Sequence, residues 1–330
     1  MNNPSFLRNF IEKFNAEIRS TEAASVEAVG AEATNVALLR YDEPMVSHTT
    51  FKVGGPADLW VQPRGDSFPV YAAALLNAAR AEGIPVFILG GGANLVVSDR
   101  GIRGIVLDMC GWQGLNIEEG RVTVRSGTVV DKLVDALAAE GWGGLEFLAG
   151  MPGTVGGAVW MNARCYEKSI SDVLIETEIL NEKREIERIP FNASDFDYKH
   201  SPFQNRDVLI LAASFRLERK SADAILREMA EHRKDREEKG HYRFPSAGSA
   251  FKNNRAFGKS TGKIIDELGL RGLQIGGAQI APFHGNIIIN TGNATAADIR
   301  TLADMVREKA HAALGIELES EILFVGDWED

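Results

Sequence analysis

The sequence has only two cysteines, Cys110 and Cys165, in 330 residues. They form neither a disulfide framework nor a metal-ligand pattern, so no metal site is expected and reduced thiols of a cytosolic protein are the reading. An excess of basic charge is also missing. Lys and Arg number 36 against 46 Asp and Glu, a net charge of −10, which argues against general binding to nucleic acid or to a membrane surface. No run of about 18 apolar residues exists to span a bilayer. The opening Met-Asn-Asn-Pro-Ser-Phe-Leu-Arg has no basic start followed by an apolar core, so no signal peptide is expected. There is no internal repeat and no low-complexity tract. What is present, 45% apolar and 25% charged residues, is ordinary globular composition, long enough for two or three domains.

Residues 5–20 place Phe6, Phe10, Phe14 and Ile18 at helical spacing, which predicts an amphipathic helix. Residues 21–35, rich in Ala, Glu and Thr, read as a weakly ordered connection. From about 48 to 215 short apolar runs alternate with helical stretches and glycines. Strands are expected at 85–89, 104–108, 174–180 and 208–217, and a helix at 129–140 with Val130, Leu133, Val134 and Leu137 on one face. A charged helix, 221–239, ends at Gly240 and reads as a connector. Beyond it the chain becomes a small α+β unit: a helix at 260–268, strands at 273–281 and 286–290, a helix through 306–313 opened by a capping box of Thr295 with Asp298, and a last strand at 318–325. The expected organisation is an N-terminal extension (1–35), a domain at 36–218 and a C-terminal domain at 219–330.

Two glycine-rich loops stand out: Gly90-Gly91-Gly92-Ala93-Asn94-Leu95, directly after the strand at 85–89, and Gly150-Met151-Pro152-Gly153-Thr154-Val155-Gly156-Gly157-Ala158. Glycine has no Cβ to hold backbone away from a ligand and accepts positive φ. Successive N–H groups in such turns can point at one anion. A lone loop of this kind is as well explained by a tight turn between strands. Two in one domain favour a large phosphate-bearing cofactor. Neither has the G-x-G-x-x-G spacing of a dinucleotide fold. Gly258-Lys259-Ser260-Thr261 imitates the end of a Walker A loop, but Asn253 stands where its first glycine is required and no buried strand precedes it.

Several segments together resemble one family, the UDP-N-acetylenolpyruvoylglucosamine reductases, also called UDP-N-acetylmuramate dehydrogenases. They are His48-Thr-Thr-Phe-Lys-Val-Gly-Gly-Pro-Ala-Asp58, Leu89-Gly-Gly-Gly-Ala-Asn-Leu95, Gly150-Met-Pro-Gly-Thr-Val-Gly-Gly-Ala158, Ala247-Gly-Ser-Ala-Phe-Lys-Asn253, Gly272-Leu-Gln-Ile-Gly-Gly-Ala278, Asn290-Thr-Gly-Asn-Ala-Thr295 and Leu318-Glu-Ser-Glu321. Each is modest alone. The ordered set, spanning about 48 to 326, is specific. The resemblance implies an α+β fold: a two-lobed FAD-binding unit of the vanillyl-alcohol-oxidase type, followed by a smaller α+β substrate domain. The short stretch 173–198 resembles the class without an extra substrate-covering loop. Implied with it are non-covalent FAD, NADPH as hydride donor, UDP-N-acetylglucosamine enolpyruvate as substrate, a role in peptidoglycan precursor synthesis and a bacterial cytoplasmic location. A monomer is the expectation.

The implied reaction reduces an enolpyruvyl ether. It needs a hydride carrier, a stabiliser for the charge that builds on the carboxylate, and a proton donor to the α-carbon. Ser249 matches the family's proton donor; read alone it is a turn serine between Gly248 and Ala250, and no G-x-S-x-G elbow makes it a hydrolase nucleophile. Glu321 matches the catalytic glutamate, expected in a strand with Glu319 on the same face. Where the family carries arginine in a Tyr-Arg-x-Ser motif, this chain has Tyr198-Lys199-His200-Ser201, so Lys199 stands in the cationic position without the planar fork that grips a carboxylate twice. Arg164 is the next candidate for that charge. Gly90 to Leu95, with Gly150, Gly153, Thr154, Gly156, Gly157 and Ala158, are the expected FAD-binding residues. Tyr198, Lys252 and Asn253 are the expected substrate-binding ones. Residues 243–271 supply Arg243, Lys252, Arg255, Lys259, Lys263 and Arg271 against Asp266 and Glu267, a basic region suited to a diphosphate. Two alternatives compete. One is a flavin oxidase of the same fold, disfavoured because the first loop has no histidine for covalent flavin. The other is a UDP-sugar-binding homologue with lost catalysis, motivated by Lys199.

Overall fold

The computed structural model describes residues 4–25 and 37–328. The described chain divides into two compact units, each assembled from separated segments. One comprises Met1–Tyr41, Asp58–Gly91 and Gly104–Arg233; the other comprises Asp42–Ala57, Gly92–Arg103 and Lys234–Asp330. This differs from the contiguous division expected at 218/219. The second unit recruits 42–57 and 92–103 because Phe51, Val53 and Val96 are buried in its core beside Ile299, Leu302 and Val306.

In the first unit, α1 (Pro4–Ser25) continues to Ser25, into the segment expected as a connection; the rest of that segment lies outside the described residues. Its buried stripe is Leu7, Ile11 and Phe14, at i, i+4 and i+7. Phe10 and Ile18 flank that stripe, and Phe6, expected on the inner face, is exposed. Each fully buried side chain of this kind contributes about 1.5–3 kcal/mol of transfer free energy. The stripe packs toward Tyr71 of α2 (Phe68–Ala81), whose ring meets Phe14 edge-on at 5.4 Å. Strands β1 (Ala37–Pro44), β2 (Pro56–Pro63), β3 (Val86–Leu89) and β5 (Ile102–Asp108) form a sheet of order β1-β2-β5-β3. In it β3 runs parallel to β5, with Leu89 opposite Asp108. The second sheet of this unit is antiparallel, built from β6 (Leu115–Glu118), β7 (Arg121–Arg125), β8 (Leu174–Leu180), β9 (Ile186–Pro190) and β10 (Leu209–Arg216) in the order β9-β8-β10-β7-β6. On its buried face lie α3 (Val130–Ala139) and the short α4 (Val155–Trp160). The charged helix is present as α5 (Ala222–Glu238), with only Ile225 and Met229 buried.

In the second unit the expected strand at 273–281 is a hairpin. β11 (Gln274–Ile275) and β12 (Ala278–Ile280) pair antiparallel around Gly276, whose φ of 51° favours glycine. β13 (Ile288–Asn290) completes the three-stranded sheet. The helix α7 (Ala296–Leu314) opens with the Thr295–Asp298 capping box and ends on Gly315 in the left-handed region. The last strand, expected over 318–325, is only β14 (Leu323–Val325), pairing parallel with β4 (Leu95–Val97). Residues 318–322 join no ladder; Ser320 makes only an isolated bridge to Phe251, which is itself outside any strand. Gly258-Lys259-Ser260-Thr261 is the start of α6 (Thr261–Glu267). The Ser260 hydroxyl caps the Lys263 N–H, and Lys259 pairs with Glu267.

Candidate active site

The two glycine loops meet inside the first unit. A Cβ on Gly91 would lie 2.7 Å from Gly153 Cα, and one on Gly90 would lie 2.6 Å from Thr154 Oγ1. Both are closer than ordinary contact permits; at Gly91 the struck atoms are backbone, so that position requires glycine, whereas at Gly90 a rotation of the Thr154 side chain would relieve the clash. Gly153 adds a positive φ of 110°. A third segment, which the sequence reading missed, closes the group. Ser126-Gly127-Thr128 runs beside the second loop: Gly156 N–H donates to Ser126 C=O at 2.8 Å and Val155 N–H to Thr128 C=O at 3.0 Å. A Cβ on Gly156 would sit 2.8 Å from Ser126 Cβ. Gly156 thus serves close packing, and Gly150 gives its N–H to Asp131 at 2.7 Å; neither N–H is left for a ligand. The sequence carried no signal for Ser126, because Arg125-Ser126-Gly127-Thr128 reads as any turn after a strand.

The hydroxyls of Ser126 and Thr154 are buried and, among the described residues, without a hydrogen-bond partner. Among the same residues no hydrogen bond engages the N–H of Gly91, Gly153 or Thr154. The two buried hydroxyls left unmade cost about 1–3 kcal/mol each, and together with the open N–H groups they match a ligand rich in acceptor oxygens. The Cys110 thiol donates to Gly90 C=O at 3.4 Å, and burial, with Asp108 beside it, pushes its pKa up, so it stays a neutral thiol.

The chain passes from the first unit to the second between Gly91 and Gly92. Gly92 has a φ of 60°, and a Cβ there would strike His48 C=O at 2.0 Å. Its own C=O accepts from Thr50 N–H at 3.1 Å. Asn94, expected to bind cofactor, sends its side-chain NH₂ to Glu321 C=O at 2.9 Å, and Leu323 N–H returns to Asn94 C=O at 3.0 Å.

Ser249 and Glu321 come together in the second unit. Ser249 is half-buried and bridges antiparallel to Ile287, after Gly248 at φ 72°. Glu321 N–H donates to Ala250 C=O at 2.8 Å. The residue following Ser249 is therefore hydrogen-bonded to Glu321 itself. Glu319 is not a second inward carboxylate: its side chain is 71% exposed and pairs with Lys252 at 2.5 Å. Asn253 caps α6, accepting from Thr261 N–H at 2.9 Å. The basic region is partly neutralised, since Lys252, Lys259 and Arg271 each hold a carboxylate.

Lys199 lies in the first unit, in a turn closed by a bridge between Asp197 and His200, with φ of 57°. That turn is tied to the end of α4: Ser201 Oγ and Gln204 Nε2 both donate to Trp160 C=O, at 2.6 and 3.0 Å, and Asn162 Nδ2 donates to Asp197 C=O. The six residues of α4 separate this turn from Thr154 by roughly 9 Å at 1.5 Å per residue. Tyr198 is 40% exposed. Arg164 instead faces Ser169 across a small hairpin at 3.4 Å.

Comparison with known proteins decides what this arrangement belongs to. A protein of Treponema denticola named UDP-N-acetylenolpyruvoylglucosamine reductase is 40% identical over 307 residues, spanning 88% of this chain and 94% of that protein. The chain belongs to the UDP-N-acetylenolpyruvoylglucosamine reductase family. A relative of the same name from Borreliella burgdorferi is 36% identical over 324 residues, 98% of this chain and 99% of its own. The crystal structure of the UDP-N-acetylenolpyruvylglucosamine reductase of Thermus caldophilus matches with a TM-score of 0.72 at 32% identity, covering 87% of this chain and 98% of that one. Residues 72–189 match the model of an FAD binding domain, and residues 240–325 match that of the reductase's C-terminal domain. The expected α+β class, with an FAD-binding unit and a C-terminal substrate-type domain, therefore holds. As a member of this reductase family the protein is an FAD-dependent oxidoreductase. The orphaned hydroxyls of Ser126 and Thr154 and the unspent N–H groups of Gly91, Gly153 and Thr154 fit the flavin's phosphates. No helix among the described residues is long and apolar enough to cross a membrane.

Proposed function

We propose that this chain reduces UDP-N-acetylglucosamine enolpyruvate to UDP-N-acetylmuramate, with Ser249 as proton donor, Glu321 as its partner at the substrate carboxylate and Lys199 as the charge-stabilising cation. When bound, FAD would supply hydride-transfer chemistry between NADPH and the substrate's methylene carbon. The chain's residues do the rest. Gly91, Gly153, Thr154 and Ser126 offer donors to the flavin phosphates. Charge that builds on the substrate carboxylate is met by the Lys199 ammonium, a compact cation without the arginine fork. Ser249 Oγ passes its proton to the α-carbon. A serine hydroxyl is a weak acid, adequate here because that carbon is a strong base and the donor is held in place. Tyr198, Lys252 and Asn253 are assigned to the sugar nucleotide in the same proposal. The NADPH requirement, the cytoplasmic setting and the service to wall synthesis, cell shape and division belong to the same proposal.

The observation that carries it is the hydrogen bond from Glu321 N–H to Ala250 C=O, which makes the two family residues structural neighbours. The test uses Ser249→Ala and separates the half-reactions by stopped flow. Flavin content, reduction by NADPH and sugar-nucleotide binding should persist. Reoxidation by the enolpyruvyl substrate should fall by about 10²–10⁴-fold, with partial recovery in Ser249→Cys. A variant that slows the NADPH step and spares the enolpyruvyl step refutes the assignment.

A further inference from the structure

Asn286 carries no role in the resemblance and no motif singled it out, yet it is 2% exposed and every polar atom of its amide is spent on one residue. Its Oδ1 accepts from Phe251 N–H at 3.0 Å, and its Nδ2 donates to Phe251 C=O at 2.7 Å. Its own backbone C=O accepts from Ala250 N–H at 2.7 Å. The amide orientation is unambiguous, because the donor must face a carbonyl and the acceptor an N–H. A side chain here substitutes for a neighbouring β-strand. It grips the peptide units that follow Ser249, and the same stretch presents Ala250 C=O to Glu321 N–H. Ser249 to Phe251 is not in a regular strand; beyond the isolated bridges to Ile287 and Ser320, this side-chain clamp is what pairs its backbone.

We propose that Asn286 is a positioning residue for the proton-transfer step, clamping Ala250 and Phe251 so that Ser249 and Glu321 keep their relative placement. The inference rests on the proposed roles of those two residues. Its mechanism is geometric: losing the clamp leaves Phe251 N–H and C=O unpaired and frees the backbone on which Ser249 sits, and a misplacement of about 1 Å in such a step can cost on the order of 100-fold.

The FAD-loaded full-length protein is compared in three variants. Asn286→Leu removes both clamp bonds; Asn286→Asp keeps the acceptor for Phe251 N–H and loses the donor. Asn290→Leu is the comparison, since Asn290 is an equally buried asparagine bonded to Phe51 C=O at 3.0 Å. Asn286→Leu should slow flavin reoxidation by the enolpyruvyl substrate by up to about 100-fold, leave reduction by NADPH and the flavin spectrum unchanged, and speed amide exchange in residues 249–252. Asn286→Asp should fall between it and the parent, and carries the test alone if the leucine variant does not fold. Asn290→Leu should lower stability without singling out the reoxidation step. On a Ser249→Ala background, Asn286→Leu should add little further loss.

The inference is overturned by normal reoxidation in a folded Asn286 variant, by an equal effect of Asn290→Leu, or by full additivity with Ser249→Ala. If Ser249→Ala itself reoxidises like the parent, the donor assignment falls and the inference with it. If Ser249→Ala is slow and the Asn286 variants are not, only the inference falls.

Discussion

A methyl group at Gly91 tests the meeting of the two glycine loops directly. In Gly91→Ala the new Cβ would lie 2.7 Å from Gly153 Cα and 3.2 Å from Gly153 C. Carbon pairs prefer roughly 3.5–4.0 Å, so the loops must part by about 1 Å. Both struck atoms are backbone, and Gly153 is held by the bond from Val130 N–H to its C=O at 3.1 Å. No flexible side chain can absorb the displacement. Overpacking of this kind costs about 1–3 kcal/mol. If the same strain opposes flavin binding, affinity falls about 5- to 150-fold. The steric comparison is Gly157→Ala, whose Cβ would meet only Thr154 Oγ1 at an ordinary 3.7 Å, inside α4, where alanine favours the helix. The assay is titration of flavin-free protein with FAD, followed by flavin fluorescence, with thermal unfolding of the same samples. Gly91→Ala should bind FAD more weakly while Gly157→Ala unfolds no earlier than the parent. If Gly91→Ala binds FAD as tightly as the parent and unfolds at the same temperature, the loops do not bear on each other in the way the geometry requires.

Thr154→Val removes a buried hydroxyl that has no partner among the described residues. The flavin-free protein should be at least as stable as the parent, and FAD affinity should drop by about 1 kcal/mol, a divergence that calorimetry and titration would show together. Lys199→Ala should slow reoxidation by the enolpyruvyl substrate while sparing reduction by NADPH, and Lys199→Arg should retain or raise the rate; parent-like reoxidation in Lys199→Ala would move the role to Arg164. Burial, with Arg236, His284 and Lys239 nearby and Asp235 opposing them, holds His241 down to about 4 from 6.5. Burial, followed by the charges of Arg271 and Lys239, lowers His284 as well. An unfolded histidine takes its proton near 6.5 and the folded one does not, so these groups should make stability fall as pH drops from 6.5 toward about 4. Denaturant midpoints across that range should slope less in His241→Gln than in the parent.

The elements most legible in the sequence were those whose periodicity is set by a single buried face. The strand at 174–180 and the helices at 130–139 and 222–238 fall within a residue or two of expectation. On α1 the buried stripe is offset from the expected one: Phe14 is buried as expected and Phe10 and Ile18 flank it, but Phe6 is exposed and the less conspicuous Leu7 and Ile11 are buried instead. The last strand is shorter than the alternation predicts because Leu318 and Ile322 are buried without being paired in a ladder. Of the candidate site, the two glycine loops could be found from composition alone. The pairing of Ser249 with Glu321 could be reached only through resemblance. Ser126 and Asn286 were out of reach, since each acts through tertiary hydrogen bonding or packing by an ordinary residue in an ordinary turn.

The segmented construction of the second unit has a consequence for how the chain acquires its structure. Leu95 to Val97 pair with Leu323 to Val325, and Phe51 and Val53 share a core with helix and loop residues from the last third of the sequence. Strands that leave the ribosome early must therefore wait for the final residues before that core can close. Contacts so distant in sequence fold slowly and leave apolar surface open in the interval. Truncation before Leu323 should cost more than one short strand, since it strips β4 of its partner. An isolated 234–330 fragment would lack Phe51, Val53 and Val96 and should not fold as a free-standing domain, whereas a circular permutant that brings 42–103 next to the C-terminal stretch should shorten the wait and refold faster.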